Sequence, residues 1–143
     1  MKNTIGPATG LVRLTFLVQS LYAEVGRGCD LTVAQAQMLC SLTDRSVGMA
    51  ELSGLLGLER SSLTGLVDRA EQRGLVGREA DPHDRRAVKV TLTSAGADAV
   101  HRFHDQLTSR LELLLDGLPT TERDRFARTL TRLVADVPAV FAD

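Results

Sequence analysis

Apolar residues recur every three or four positions through the first part of the chain, which is the spacing of one face of a helix. The stripe begins after Pro7 and ends near Gly26 and Gly28. A second helix is predicted to begin after Thr32, because Thr32 and Gln35 have the spacing of a capping box, in which each side chain satisfies the other residue's backbone amide. The first stripe consists of Leu11, Leu14, Leu17, Val18, Leu21, Tyr22 and Val25.

Two short helical patterns follow, separated by Gly57, and together they indicate a helix-turn-helix. The second pattern runs from about Arg60 to Arg73, and Gly74 after it suits the left-handed conformation that commonly ends a helix. Thr43 to Gly48, which precede this pair of helices, are predicted to form a loop.

Beyond Gly74 the apolar residues alternate with polar ones, which is typical of strands. The alternation predicts one strand over residues 75–79 and another over residues 88–92. Between them Ala80 to Arg86 are predicted to form a polar loop, because this segment contains the turn formers Asp81 and Pro82. Residues 75–92 therefore form a hairpin with an extended, charged tip, which we call the wing.

Thr93 is placed to cap a fifth helix, which Pro119 interrupts, and a sixth helix follows. The predicted fold class is mainly α with a small β-hairpin. A winged helix-turn-helix occupies about residues 32–92, and dimerisation helices flank it at about residues 8–28 and 93–141, all within a single domain of residues 1–143.

The long outer helices carry more apolar surface than one small domain needs for its core. We therefore expect a homodimer built from the first, fifth and sixth helices. The alternative is that these stripes bury one another within a single chain. The stripes of the last two helices consist of Val100, Phe103, Leu107, Leu111, Leu114, Leu118, Phe126, Leu130, Leu133, Val134 and Val137.

The charge balance looks unfavourable for a nucleic-acid partner, because 17 basic residues are set against 18 acidic ones in 143 residues. The charges are segregated, however. Residues 60–90 hold seven basic and five acidic groups, a local charge of +2, so the remainder carries -3. This pattern fits a sequence-selective binder of duplex DNA. The hydrophobic pattern shows neither a secretory signal nor a stretch long enough to span a membrane. It therefore favours a cytoplasmic protein.

In a helix-turn-helix the second helix lies in the major groove, and its N-terminal residues reach base edges. Small hydroxyl side chains at this position allow a close approach and exchange hydrogen bonds with bases. Ser and Thr near a helix start are also ordinary caps, which is the alternative. The candidate DNA contacts on this helix are Arg60, Ser61, Ser62, Thr64, Gly65, Arg69 and Arg73, the last two being better placed for phosphates.

The wing supplies Arg85 and Arg86, and an arginine at a hairpin tip suits a narrow minor groove. Asp84 is predicted to orient the guanidinium of Arg86 through a salt bridge. A solvated surface turn is the alternative for this loop. A protein-interaction module that kept the fold without DNA binding is a further alternative, although such a module would not need the basic wing.

The sequence resembles the MarR family of bacterial transcription regulators from about residue 11 to residue 137. The combination of the wing motif with the preceding Leu-Val-Asp-Arg segment is highly specific. The matching segments are Leu31-Thr32-x-x-Gln35, Glu51-Leu52 through Leu56-Gly57-Leu58, Ser61-Ser62-Leu63-Thr64, Leu66-Val67-Asp68-Arg69, Gly74-Leu75-Val76 and Asp81-Pro82-His83-Asp84-Arg85-Arg86 up to Leu92-Thr93.

The resemblance implies a triangular homodimer that binds a pseudo-palindromic operator in double-stranded DNA and usually represses transcription. It places Asp84 and Arg86 at the Asp-x-Arg positions of the family's wing, with Arg86 as the minor-groove residue. It also implies release from DNA by a small phenolic or other aromatic acid, bound where the dimerisation helices meet the winged module. Candidate lining residues, which could equally be core, are Leu17, Leu21, Tyr22, Met38, Phe103 and His104.

Other chemistry has little support in the sequence. Cys29 and Cys40 have no zinc or disulfide spacing, and a redox-responsive regulator that uses either of them is an alternative function. His101 and His104 are three residues apart, without the further ligands that a metal site needs. Nucleotide-binding and hydrolase motifs are lacking, so we predict neither an enzyme nor a cofactor.

Overall fold

The structure is a computed structural model that describes residues 4–137. Over this range the structure has six helices and three strands. The helices and two of the strands follow the order that the hydrophobic pattern predicts, and one short strand is additional. The elements are α1 (Pro7–Gly28), α2 (Val33–Ser41), β1 (Val47–Gly48), α3 (Met49–Leu56), α4 (Arg60–Gln72), β2 (Val76–Asp81), β3 (Asp84–Leu92), α5 (Ser94–Leu115) and α6 (Thr120–Val134). The end of the predicted dimerisation segment, residues 138–141, lies outside the described residues.

The helix ends follow the sequence signals closely. The capping box of Thr32 and Gln35 is present, with both of its hydrogen bonds at 3.1 Å. At the end of α4, Gly74 has a φ of 71°, and the amide of Leu75 donates to the carbonyl of Ala70. This hydrogen bond is the 6→1 bond of a Schellman motif, which needs a left-handed residue at the helix end. It directs the chain from α4 into β2.

The loop expected over Thr43–Gly48 is only partly right, because its last two residues form β1. Val47 pairs with Val90, and Gly48 pairs with Lys89. The three strands form an antiparallel sheet in the order β1-β3-β2. A two-residue strand is too short to show any alternation in sequence, so only its pairing with β3 reveals it.

The long polar loop expected over Ala80–Arg86 is wrong. β2 continues to Asp81 and β3 begins at Asp84, so only Pro82 and His83 connect them. The register shifts between Ala80 and Asp81, which makes the tip irregular. Polar residues at a hairpin tip satisfy their backbone through strand pairing without burying a side chain, and the hydrophobic pattern therefore does not mark them.

A single hydrophobic cluster joins the winged module to the outer helices. Phe103 of α5 is fully buried and meets the ring of Tyr22 from α1 edge to face, with 5.1 Å between the ring centroids. Gly96 lies so close to the strand that a Cβ there would be 1.9 Å from the carbonyl oxygen of Leu75. The first part of α5 is therefore part of the core. The division into a winged module and dimerisation helices stays a prediction.

Apolar residues of α1, α5 and α6 that lie farther from this core are exposed. α6, described over its full length, has no buried residue, and Leu133 is 61% exposed. The other large apolar side chains that are exposed on the three helices, or just after α6 in the case of the last one, are Leu11, Val12, Leu14, Phe16, Leu17, Leu113, Leu114, Phe126, Leu130, Val134 and Val137.

Candidate nucleic-acid interface

α3 and α4 form the helix-turn-helix, and the turn between them is closed by backbone geometry. Gly57 has a φ of 63°, a left-handed conformation that glycine adopts without strain. The amide of Leu58 donates to the carbonyl of Ser53 at 3.1 Å, and the hydroxyl of Ser53 donates back to the carbonyl of Leu58. These contacts set the direction in which α4 leaves α3.

The two faces of α4 differ in character. One face packs into the core through Leu63, Leu66, Val67 and Ala70. Ser61, Ser62 and Thr64 lie exposed on the other side, in the first turn and a half. The Thr64 hydroxyl donates to the carbonyl of Arg60 at 2.9 Å, and its oxygen can still accept a hydrogen bond. The sequence-predicted recognition surface is therefore solvent-facing, as contact with bases requires.

Gly65 and Arg69 form a pair on this exposed face. A Cβ at Gly65 would lie 3.2 Å from a terminal nitrogen of Arg69, so the guanidinium rests over the glycine. The missing side chain at position 65 thus allows Arg69 to fold towards the helix start, one turn closer to the candidate base contacts than its sequence position suggests.

The structure gives Arg73 a role different from the predicted phosphate contact. Its guanidinium donates to Oε1 of Gln35 at 3.1 Å and pairs with Asp30 at 3.4 Å. Because Gln35 also forms the capping box of α2, Arg73 ties the end of α4 to the start of α2. This intramolecular contact could not be read from its spacing on α4.

At the tip of the wing two aspartates hold the backbone. Asp81 accepts from the amide of His83 at 2.9 Å, and Asp84 accepts from the amide of Arg86 at 3.0 Å. The predicted salt bridge from Asp84 to the guanidinium of Arg86 is not among the ion pairs of the described residues. The carboxylate instead shapes the turn, and the Arg86 side chain is exposed. Arg85 belongs to β3, but its side chain lies outside the described residues.

A cleft of about 560 Å³ lies between the recognition helix and the wing. Arg60 and Thr64 contribute to one wall, and Arg86 and Lys89 contribute to the other. Arg78 also lines it, but two carboxylates pair with its guanidinium, so the cations that face the acidic Glu51 and Asp81 are Arg60, Arg86 and Lys89. The remaining excess of positive charge suits a phosphate backbone.

Two of these residues, Arg78 and Lys89, were not selected from the sequence as site residues. They lie within strands, where charged side chains at alternate positions are ordinarily solvated. Arg78 is held by Asp68 at 2.6 Å and by Glu71 at 2.8 Å, and hydrogen bonding to Asp68 raises the pKa of Arg78 further above its usual value. Only the approach of β2 to α4 brings these three side chains together.

A second cleft, of about 510 Å³, lies where α1 meets α2 and α3. Of the six residues proposed for an effector pocket, only Tyr22 is among those that line it. Met38 and Phe103 are closed inside the core, and Leu17 is exposed on another side of α1. This cleft and the predicted effector pocket therefore share only Tyr22. Its lining residues are Leu11, Leu14, Thr15, Val18, Gln19, Tyr22, Gln37, Ser41, Leu55 and Leu56.

Cys40 lies behind this cleft and hydrogen-bonds with Tyr22. Burial raises the pKa of the Cys40 thiol to about 12 and raises that of the Tyr22 phenol above its usual value as well. A protonated, buried thiol is a poor nucleophile. Cys29 is half-buried. Within residues 4–137 His, Cys, Asp and Glu form no group of three that could hold a metal ion, and no helix is both long and apolar enough to span a bilayer.

Comparison with known proteins agrees with this geometry. The model of the MarR family matches residues 30–87. The transcriptional repressor MprA of Escherichia coli is 30% identical, over 87% of this chain and 75% of its own. The transcriptional repressor NicR of Pseudomonas putida is 32% identical, over 76% and 70%. The structure of apo MarR from Escherichia coli superposes with a TM-score of 0.78 at 26% identity, covering 92% of this chain and 99% of that one.

An exposed recognition helix beside a basic hairpin defines a winged helix-turn-helix, DNA-binding transcriptional regulator. The protein is a regulator and not an enzyme. More particularly, the chain belongs to the MarR family.

Proposed function

We propose that this protein is a homodimeric repressor that binds a pseudo-palindromic operator and leaves it when a small aromatic acid binds. One observation carries the DNA-binding part of the proposal. Arg60 and Thr64 of the recognition helix line the same cleft as Arg86 of the wing. One strand of a duplex can therefore be held between α4 in the major groove and the wing in the adjacent minor groove.

Within each protomer the proposed contacts divide by their chemistry. Ser61, Ser62 and Thr64 are proposed to face base edges, since they are exposed at the start of α4. Arg60 and Arg69 are cations that suit phosphates or guanine, and Arg86 suits the minor groove. The fold is shared with MepR of S. aureus, which has been solved bound to an oligodeoxyribonucleotide, at 17% identity and a TM-score of 0.63.

A second copy of the chain is the proposed occupant of the exposed apolar surface on α1, α5 and α6. The support is that α6 buries no residue within one chain although Phe126, Leu130 and Leu133 all lie along it. A helix with such an apolar stripe typically packs that stripe against another apolar surface. α1 and α5 expose apolar residues too. A second copy of the chain, which carries the same apolar surface, could therefore cover all three helices together.

The cleft between α1 and the winged module is the proposed effector site. Its walls are largely apolar, with Tyr22, Gln37 and Ser41 as polar groups that could orient a carboxylate or phenol. NadR, solved in complex with 4-hydroxyphenylacetate, shares the fold at 20% identity and a TM-score of 0.73. A ligand here would contact both α1 and α3, and it can shift the equilibrium between dimer forms only by its differential affinity for them.

The DNA-binding proposal is tested by selecting bound duplexes from a random pool with the purified protein. The expected result is an inverted repeat whose half-sites have centres about 10 base pairs apart, since a dimer places two recognition helices in successive major grooves. An enriched sequence without two-fold symmetry would contradict the dimeric arrangement. Recovery of no preferred sequence at physiological salt would contradict sequence-specific binding.

The effector proposal needs a separate measurement. With 4-hydroxyphenylacetate and benzoate as probes, we expect binding of the probe to weaken operator affinity. Val18→Trp, which fills the cleft, should abolish that response while DNA binding without ligand persists. A probe that binds in the cleft without changing operator affinity would refute release by this route.

A further inference from the structure

Arg78 lies at the base of the wing, where β2 passes the recognition helix. One terminal nitrogen of its guanidinium is 2.6 Å from Oδ1 of Asp68, and the other is 2.8 Å from Oε1 of Glu71. Asp68 and Glu71 are three positions apart on α4, so they share a face and present two carboxylates to one cation. We call these three side chains the Arg78 bridge.

Beyond Arg78 the wing is held by strand pairing, between β2 and β3 and between Gly48 of β1 and Lys89. From Glu79 to Lys89, none of the residues whose side chains are described is buried. The tip that carries Arg86 is therefore not packed onto the protein, and contacts at the base of the hairpin must set its direction. Arg78 pairs with Val90 in the sheet, and Val90 is fully buried. Pairing with Val90 thus fixes the backbone of Arg78, and the two carboxylates of α4 hold its side chain.

The charges of the bridge argue against a direct phosphate contact. Both ends of the Arg78 guanidinium are already bound to carboxylates, and the group as a whole carries one net negative charge. The Arg78 side chain is 27% exposed, against 52% for Asp68 and 45% for Glu71. Ion pairs this exposed contribute little to the free energy of unfolding. A bidentate arginine, however, restricts orientation as well as distance.

We infer that Arg78 is a positioning residue for DNA binding, which locks the wing to the recognition helix so that both enter their grooves together. This inference rests on the proposed function, in which α4 and Arg86 contact the same operator. A wing held in its bound direction before DNA arrives has less conformational freedom to lose on binding. The two acidic residues of the bridge then favour operator binding even though they repel phosphate.

The sign of one substitution separates positioning from simple electrostatics. Asp68→Asn with Glu71→Gln removes two negative charges from each protomer near the DNA, which by charge alone should strengthen binding to any duplex. The bridge predicts the opposite for the operator, a loss of roughly tenfold, which corresponds to about 1.4 kcal/mol. Binding to unrelated duplex should stay the same or become tighter. Operator binding that is unchanged or tighter in this variant would overturn the inference.

Double-mutant cycles then ask which part of the site is coupled to the bridge. Arg78→Met should weaken operator binding, and adding Arg86→Ala to it should cost clearly less than Arg86→Ala costs alone, because the wing is already misplaced. Thr64→Ala on the recognition helix is the matched control, and its cost should be the same with or without Arg78→Met. Additive costs for Arg78 and Arg86 would also overturn the inference. Non-additive costs are expected for groups that act through one another.

Two further variants guard against a folding defect. Arg78→Lys keeps a cation that can pair with one carboxylate, so it should give intermediate operator affinity, and thermal unfolding of every variant should stay near that of the parent. If Asp68→Asn with Glu71→Gln does not fold, the separate single substitutions carry the same test. If Arg86→Ala alone leaves operator binding unchanged, the proposed wing contact fails. If Arg86→Ala weakens binding and the bridge variants do not, only the bridge fails.

Discussion

The hydroxyl of Thr93 donates a hydrogen bond to the carbonyl oxygen of Gly74 at 2.5 Å, and it accepts one from the amide of Gly96 at 3.0 Å. The same side chain therefore caps α5 and holds the residue that ends the recognition helix. The backbone amide of Thr93 also donates to the carbonyl of Leu75. The start of α5 and the end of α4 are thus joined directly through Thr93.

Replacing Thr93 tests this junction. Thr93→Val keeps the shape and removes the hydroxyl, so it leaves the Gly96 amide without its cap and the Gly74 carbonyl without its donor. We expect a loss of about 1–2 kcal/mol in the free energy of unfolding, the usual cost of an N-cap. Urea titration measures it, with Thr93→Ser as the control that should stay close to the parent. Equal stability of the Val and Ser variants would contradict the role of the hydroxyl.

Gly96→Ala should destabilise the protein severely. A Cβ at position 96 would lie 1.9 Å from the Leu75 carbonyl oxygen, and backbone cannot yield as a flexible side chain can. We expect a loss of more than about 3 kcal/mol, because overpacking against backbone must separate α5 from the strand. Gly54→Ala is the matched control. It lies in α3 with no atom within 4 Å of the added Cβ, so it should stabilise the helix by about 0.5–1 kcal/mol. Similar thermal unfolding of the two variants would refute this reading.

Stability should fall at alkaline pH through Cys40. The folded pKa, about 12, is above the ordinary value of 9.0, so the folded state keeps a proton that the unfolded state loses. This contribution is complete below pH 9 and is lost as the pH rises from 9 towards 12, at about 1.4 kcal/mol per pH unit for one group. Chemical unfolding at pH 8, 9 and 10 measures it. The slope between pH 9 and 10 should become shallower in Cys40→Ala, and an unchanged slope in this variant would contradict the assignment to Cys40.

Arg86→Ala should weaken operator binding by about 1–3 kcal/mol, since it removes the proposed minor-groove contact. The plot of log affinity against log salt should become shallower, because fewer counterions are released. Fluorescence anisotropy with a labelled operator at several salt concentrations measures both. His83→Ala, at the same exposed tip, is the control and should have a smaller effect. Parental affinity of Arg86→Ala would remove Arg86 from the interface.

Leu133→Glu should produce a monomer. Leu133 is 61% exposed within one chain, and a carboxylate there would be buried without a partner in the proposed dimer. Sedimentation equilibrium at micromolar concentration measures the mass, and operator binding should fall with it. Thr131→Glu adds the same charge to the same helix, away from the apolar residues, and should remain dimeric. A parent protein that is itself monomeric would refute the dimer.

Most of the helices could be predicted from local signals. The capping box at Thr32, the glycine after α4 and the cap at Thr93 act within a few residues, so their effects are visible in sequence. The errors occurred where pairing is nonlocal. β1 is defined by Val90, more than forty positions later, and the wing tip is extended because its backbone pairs across Pro82 and His83.

The candidate site could be predicted in its parts but not in its internal contacts. Exposure of Ser61, Ser62 and Thr64 follows from the helical period, because the apolar residues of α4 occupy the other face. Arg73, by contrast, turns to Gln35, and the Asp84 carboxylate meets a backbone amide in place of a guanidinium. Each charged side chain has several possible partners within reach, and the local backbone and the packing of neighbouring elements select among them.

The sequence by itself determined the helical order, the winged hairpin and the family, because these depend on periodicity, caps and spacing along the chain. Only the tertiary structure decided which residues from distant parts of the chain come into contact. The cleft at Tyr22, the Thr93 junction and the Arg78 bridge each join segments that lie apart in sequence. Side-chain hydrogen bonds and ion pairs depend on distances of about 3 Å, and only the packed arrangement of α4, β2 and α5 sets such distances.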